Sequence, residues 1–244
     1  MDRDANEPDQ LHEAGVPWPV ATSAGPQSAP LLEECFECAA VPPEVMDALW
    51  AEAWRHFGPL FVRYSMYFGD ELPLLVQPLR VVLAQFVLSH SHRRILRRNA
   101  DLEVRCQPPR LDVEREDLFH RHKRRFRRHV PDSLDQFLGP APGVVPGEMI
   151  EVAAYRNDRL VAASYLDVGR EGVSSLYGMF DPAFSRRSLG IATMLWELAY
   201  ARDRGCRFYY PGYAYHSPSP LDYKKQFAGC EWFDWQGHWL PLPK

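Results

Sequence analysis

The sequence predicts a mixed α/β protein with an α/β sheet domain in its second half, a smaller α+β domain before it and a tail at the start. Three observations predict this. Residues 149–180 hold three β-rich segments, one apolar-striped helix follows, and a further β-rich segment comes after it. That order suits a sheet covered by helices. The stretch Gly139-Pro140-Ala141-Pro142-Gly143 reads as a linker. Residues 1–30 carry five prolines and no apolar periodicity, so they cannot bury enough surface to offset ordering their backbone. The expected layout is a disordered tail over 1–30, an α+β domain with basic helices over 31–139 and the sheet domain over 144–244.

Each element has a local reason. Glu34–Ala40 reads as a short strand, and Pro42-Pro43 opens a helix because proline is accepted in a first turn. Val45, Leu49, Ala53 and Phe57 form its stripe, with Gly58 as the stop. Leu60–Phe68 and Leu72–Leu83 read as extended, with Gly69-Asp70 turning between them. Helices are expected over 89–98, 113–129 and 133–138. Met149–Arg156 and Arg159–Leu166 form a hairpin on Asn157-Asp158, followed by a strand over Val173–Phe180. A helix from Leu189 to Arg204 carries Met194, Leu195, Leu198 and Ala199 on its apolar stripe, with Ser188 as cap and Gly205 as stop. Arg207–Tyr213 is the next strand, and Trp232–Trp235 with His238–Leu240 make a last hairpin.

Composition narrows the function. The net charge of −4 is a sum over unlike parts: residues 90–130 hold 13 Lys/Arg against 6 Asp/Glu, so this middle is +7 and the remainder −11. No apolar run is long enough for a transmembrane helix, and the start, Met1-Asp2-Arg3-Asp4, lacks a signal peptide's basic and apolar regions. Five cysteines do not make a disulfide framework, so a reduced, cytoplasmic protein is expected. Cys35 and Cys38 form one Cys-x-x-Cys, but no second pair completes a familiar four-ligand spacing, and no metal site is expected.

The basic middle has two clusters. Arg93, Arg94, Arg97 and Arg98 fall within six positions, and Arg121, Lys123, Arg124, Arg125, Arg127 and Arg128 within eight. On a helix Arg94, Arg97 and Arg98 share a face. Such faces are either solvated and offset by Glu114, Glu116 and Asp117, or held by phosphates. RNA suits them better than a membrane, because neither helix has a broad apolar face to insert. DNA is not expected as a partner.

Arg187-Ser188-Leu189-Gly190-Ile191-Ala192 opens a helix after a strand. It resembles the Arg/Gln-x-x-Gly-x-Gly/Ala signature of GNAT acetyltransferases, whose helix N-terminus holds the pyrophosphate of acetyl-CoA. The plain alternative is a tight turn that uses Gly190 for packing.

A longer resemblance spans about two thirds of the chain. Ser174-Ser175-Leu176-Tyr177 leads to Phe180-Asp181-Pro182, then Arg187-Ser188-Leu189-Gly190, Tyr209-Tyr210-Pro211-Gly212-Tyr213, His216-Ser217, Tyr223-Lys224, Phe227 to Glu231, and Trp239. Upstream lie Gln77-Pro78-Leu79-Arg80-Val81 and Ser91-His92-Arg93-Arg94 through Arg97-Arg98-Asn99-Ala100-Asp101-Leu102. In order and spacing the set resembles the aminoacyl-tRNA–protein transferases, the eukaryotic arginyltransferases and bacterial aspartate/glutamate leucyltransferases. The chain departs from them in three places. No cysteine stands between Ser65 and Gln77, Pro220-Leu221 replaces Lys-Met, and Ala228-Gly229 replaces Arg-Pro.

The resemblance implies a GNAT-like C-terminal domain and transfer of arginine or leucine from charged tRNA to the N-terminal amine of an acceptor protein, as in N-degron tagging. It implies no cofactor beyond the aminoacyl-tRNA co-substrate. Asp181, Tyr223 and Lys224 are the expected catalytic residues. Tyr213, Ser217, Glu231, Ser188 and Gly190 are expected to bind substrate, and Arg93, Arg94, Arg97 and Arg98 to bind tRNA. Two other readings stay open. One is an acetyl-CoA-dependent N-acetyltransferase using Arg187, Gly190 and Ala192. The other is a non-catalytic paralogue that binds tRNA or a protein N-terminus.

Overall fold

The computed structural model describes residues 31–68, 72–126 and 132–242. The expected tail, the Gly69-Asp70 turn and Arg127, Arg128 and Val130 lie outside the described residues. In chain order the elements are β1 (Glu33–Glu37), α1 (Pro43–Ala51), β2 (Arg55–Phe57), β3 (Leu60–Tyr64), β4 (Met66–Phe68), β5 (Pro73–Val82), α2 (His90–Arg98) and β6 (Glu103–Gln107). They continue with α3 (Val113–Lys123), α4 (Asp135–Leu138), β7 (Met149–Arg156), β8 (Arg159–Val168), β9 (Gly172–Phe180), a 3-10 turn at Pro182–Arg187, α5 (Leu189–Asp203) and β10 (Phe208–Tyr215). A second 3-10 turn at Asp222–Gln226 precedes β11 (Cys230–Phe233) and β12 (Trp239–Pro241).

Nine strands form the main sheet, in the order β12-β11-β5-β10-β9-β8-β7-β6, with β4 beside β5. It draws β4, β5 and β6 from before the 139–143 linker and β7 to β12 from after it. A separate three-stranded sheet has the order β1-β3-β2. The Asn157-Asp158 turn is as expected: both residues have positive φ, 50° and 62°, the geometry that matches strand twist in a two-residue hairpin.

Strand alternation sends neighbouring side chains to opposite faces. The β7–β8 register shift between Ala154 and Tyr155 leaves Val161 unpaired and interrupts that alternation, so Val161 and Ala162 both join Ala154 and Leu166 in packing with Leu189, Ala192, Leu195 and Leu198 of α5 and Ile95 of α2. Ala153, Leu160, Ala163 and Leu176 pack on the other face with Leu118 and Phe119 of α3 and Phe137 and Leu138 of α4. Burial on both faces explains why β8 reads as an almost continuous apolar run. On the α3 side Arg115 is buried, its guanidinium held by Glu151 at 2.9 Å and the Tyr155 hydroxyl at 2.7 Å. Gly58 and Gly139 let the β2–β3 turn meet the end of α4, since a Cβ on Gly139 would lie 2.9 Å from Gly58 Cα.

Four local expectations are corrected. The inward residues of α1 are Met46 and Trp50, while Val45 is exposed; the helix stops at Ala51, Phe57 lies in β2, and Gly58 turns a hairpin rather than ending a helix. The larger side chains take the interior. Ser188 does not cap α5: its own left-handed backbone, φ 55° and ψ 45°, leaves no side-chain cap bond, whereas capping needs an extended residue. Ala199 is exposed, outside the stripe formed by Leu195, Leu198 and Ala201. Finally, α3 ends at Lys123, short of the expected 129. Strand β6 is an addition to the expected elements. Among the described residues no helix is long and apolar enough to cross a membrane.

Candidate functional site

The sheet parts between β9 and β10. These are its parallel neighbours, and their register covers Phe208↔Gly172, Tyr209↔Val173 and Tyr210↔Ser174 before each strand runs on separately. Parting leaves backbone groups of β9 without ladder partners, and such groups need other donors. Arg55 of β2 supplies them on one face: Nη2 donates to the Ser175 carbonyl at 2.7 Å and Nη1 to Ser174 Oγ at 3.1 Å. Gly212 of β10, at φ 92°, lies against the same guanidinium. Trp50, Trp54, Tyr210, Tyr213 and Trp239 complete the walls there.

The opposite face of the split holds a carboxylate. Glu197 of α5 is only 1% exposed. Its Oε2 accepts from the Tyr209 hydroxyl at 2.6 Å and its Oε1 from Ser175 Oγ at 3.2 Å. Burial pushes the Glu197 carboxyl up to about 7, opposed by Tyr209, Ser164, Ser175 and the charge of Lys224. Burial and the adjoining Glu197 likewise drive the Tyr209 phenol well above its ordinary value. Ser175 is half-buried where the strands part. Consecutive serines thus face opposite ways, one to a guanidinium and the next to a carboxylate.

Basic residues surround the far end of the split, where β9 gives way to the 3-10 turn and α5. Arg93, Arg94, Arg97 and Arg98 of α2 are exposed, and Ser89 caps that helix through a bond from the His92 N–H at 3.1 Å. Helix α2 is tied to the start of α5 by Asn99 Nδ2, which donates to the Arg187 carbonyl at 2.9 Å, and by Arg98 Nη1, which donates to the Arg186 carbonyl at 2.6 Å. Arg187 grips Asp101 through two bonds of 2.6 and 2.9 Å, which holds the Asp101 carboxyl below its usual range. Arg159 and Arg121 both pair with Asp181. An arginine belt therefore encircles residues 182–187.

The expected site residues fall into three places. Asp181, Ser188 and Gly190 gather at the turn into α5; Asp181 is buried, accepts from the Ala183 N–H at 3.0 Å and pairs with the two arginines just named. Tyr213, Tyr223, Lys224 and Ser217 lie along β10 and the segment after it. Lys224 Nζ donates to the Tyr213 carbonyl at 3.4 Å, the Tyr213 hydroxyl donates to Ala53 O at 2.6 Å, Tyr223 is half-buried and Ser217 is exposed. Glu231 is apart from both, in β11, accepting from Arg80 Nε at 2.7 Å, with that guanidinium between the Phe208 and Trp239 rings. Among the described residues no three histidine, cysteine or carboxylate side chains gather as a metal site.

Arg55 and Glu197 were missed by sequence reasoning. Glu197 had a signal: it interrupts the stripe of Met194, Leu198 and Ala201, and a charge on the apolar face of a helix is a buried polar group needing partners. Arg55 had none, because its partners lie about 120 residues away.

Comparison with known proteins bears on the whole arrangement. The family model described as arginine-tRNA-protein transferase, C terminus, matches residues 114–234. An aspartate/glutamate leucyltransferase of Pseudomonas fluorescens (strain SBW25) is 34% identical over 160 residues, covering 63% of this chain and 66% of the relative. One from Leptospira interrogans is 29% identical over 159 residues, and the match spans 62% of this chain and 61% of that relative, under two thirds of its length. Among solved structures, FemX superposes with a TM-score of 0.50 at 10% identity, covering 78% of this chain and 66% of FemX. That likeness concerns the fold, and the expected GNAT-like mixed sheet is the one observed.

Proposed function

The chain belongs to the aminoacyl-tRNA–protein transferase family, and from that premise we propose that it moves an amino acid from a charged tRNA to the N-terminal amine of an acceptor protein. One observation carries the reading: the split between β9 and β10 opens toward the arginine belt around residues 182–187. A cleft beside a phosphate-binding surface suits a small acyl group on the end of a polyanion.

The chemistry asks little of the protein beyond placement. An aminoacyl ester is already activated, so attack by the amine needs neither ATP nor a metal. The amine must be neutral, and free α-amines titrate near pH ~8. Donors must meet the oxyanion of the tetrahedral intermediate. In this proposal Arg93, Arg94, Arg97 and Arg98 hold tRNA phosphates, and Ser188 and Gly190 bring the N–H groups of α5 toward the acceptor end. Tyr223 and Lys224 face the developing oxyanion and Tyr213 and Ser217 flank the aminoacyl group, while Asp181, held by two arginines, and Glu231, held by Arg80, contact the acceptor chain without taking the amine's proton. The relatives' name, aspartate/glutamate leucyltransferase, favours leucine as the donated residue and an acidic N-terminal residue as acceptor, with arginine the other donor. The proposal puts the protein in the cytoplasm beside its charged tRNA, in N-degron tagging.

Thermal melts test this against the acetyl-CoA alternative, because a ligand that prefers the native state raises the melting temperature. Charged tRNA is expected to raise it, with an effect that falls steeply with salt. Stabilisation by acetyl-CoA together with indifference to tRNA would overturn the reading.

A further inference from the structure

The group that takes the proton from the attacking amine is not supplied by the residues named so far. Asp181 is held by two arginines and a backbone N–H, and Glu231 is held by Arg80 of the neighbouring strand β5. The apex of the split offers a different pair. Ser175 Oγ is half-buried where β9 leaves β10, and it is 3.2 Å from Glu197 Oε1 inside the protein. Its backbone is pinned from the other face by Arg55 at 2.7 Å. The second carboxylate oxygen is fixed by the Tyr209 hydroxyl at 2.6 Å.

We propose that Ser175 and Glu197 form a proton relay for aminoacyl transfer, in which the serine hydroxyl touches the reacting amine and the buried carboxylate receives the proton. This rests on the transferase reading above. The amine lone pair attacks the ester carbonyl carbon, and the C–N bond forms. As the amine loses a proton to Ser175 Oγ, the serine's own proton passes to Glu197 Oε1. When the tetrahedral intermediate collapses, the bond from carbon to the ribose oxygen breaks, and the proton returns through Ser175 to that oxygen. The products are a peptide bond and a free tRNA hydroxyl, and the pair ends as it began. Ser175 is the catalytic residue. Glu197 acts through it and is a positioning residue.

The surroundings suit the task. Four elements face Glu197: Ser164 on β8, Ser175 on β9, Tyr209 on β10 and Lys224 on the 3-10 turn at 222–226, with Tyr223 beside Tyr209. Lys224 is the cation of this set, and burial outweighs it, leaving the carboxyl at about 7, where a base exchanges protons readily near neutral pH.

The test measures kcat against pH for the full chain, with the charged tRNA that the wild type uses and a saturating acceptor peptide. In the wild type kcat is expected to rise through about 7 as the relay loses its proton. Glu197→Gln and Ser175→Ala are each expected to lower kcat by about 100-fold or more and to erase that limb, with Kd for tRNA unchanged. Ser175→Ala removes only a half-buried hydroxyl, so it reports on the relay even if the other variant melts early. Two variants that keep kcat within about threefold and keep the limb would overturn the relay. So would loss in Glu197→Gln beside an unaffected Ser175→Ala, which leaves the glutamate a packing role. A wild type that binds charged tRNA but transfers nothing overturns the transferase reading, and the relay falls with it.

Discussion

Arg55 and Gly212 meet at the apex of the split: a Cβ on Gly212 would lie 3.1 Å from Arg55 Nη1, which itself donates to Ser174. The close approach lets one guanidinium replace the ladder bonds that the parting strands give up. Gly212→Ala would both press on that guanidinium and place a side chain at φ 92°. The expected cost is about 1–3 kcal/mol, read as a lower urea midpoint at unchanged slope. A midpoint equal to the wild type's would mean that Arg55 is not held there.

Arg115 is expected to matter more than any exposed arginine. Its guanidinium and the Glu151 carboxylate are both buried, 2.9 Å apart. Arg115→Ala leaves that carboxylate without its counter-charge, which costs roughly 3–5 kcal/mol. Chemical denaturation measures it, and a loss under about 1 kcal/mol would contradict the arrangement.

Stability should carry the mark of Glu197. Its carboxyl is raised from 4.5 to about 7 in the folded chain, so between those values the native state holds a proton that the unfolded chain has released. This contribution is therefore fully present below 4.5 and is lost as pH rises through about 7. The amount is on the order of 3 kcal/mol. His122 acts in the opposite sense over nearly the same range. Burial and Arg125 lower it from 6.5 to about 4, so its contribution is present above 6.5 and is lost as pH falls through about 4. The two effects oppose each other between 4.5 and 6.5, so in a pH series of denaturation midpoints Glu197→Gln should abolish the loss through about 7 and uncover the rise in stability with pH that His122 contributes between about 4 and 6.5.

The exposed arginines of α2 should act through phosphates. Replacing Arg94 and Arg97 together by alanine is expected to weaken binding of every tRNA alike. It should make the slope of log K against log salt shallower by roughly 0.7–0.9 for each phosphate no longer neutralised. An unchanged slope would remove α2 from the interface. Thermal stability should barely move, since both side chains are exposed.

The parts of the fold legible in the sequence are those with local causes. Asn157-Asp158 turns the β7–β8 hairpin because both residues tolerate positive φ, and the apolar stripe of α5 ends at Gly205. Strand β6 is hard to read: it is a five-residue edge strand whose alternation rests on Val104 and Cys106 alone, among charged neighbours. The inner face of α1 is ambiguous in sequence because Val45 and Trp50 compete for the interior, and only the packed structure shows Trp50 against Tyr210. At the site, Ser175 and Tyr209 stand within recognisable segments, but what joins them is Glu197. Arg55 reaches the site only through folding, across 120 residues.

Transfer itself leaves a mass on the acceptor. The protein is incubated with leucyl-tRNA or arginyl-tRNA and peptides beginning with Asp, Glu, Ala or Lys, and the mass added to each N-terminus is read. Addition of one leucine to the Asp and Glu peptides alone is the predicted result, and addition of arginine to them would change the donor but keep the reaction. Tight binding of charged tRNA with no mass added to any peptide would contradict the transferase reading and leave a protein that binds without catalysing.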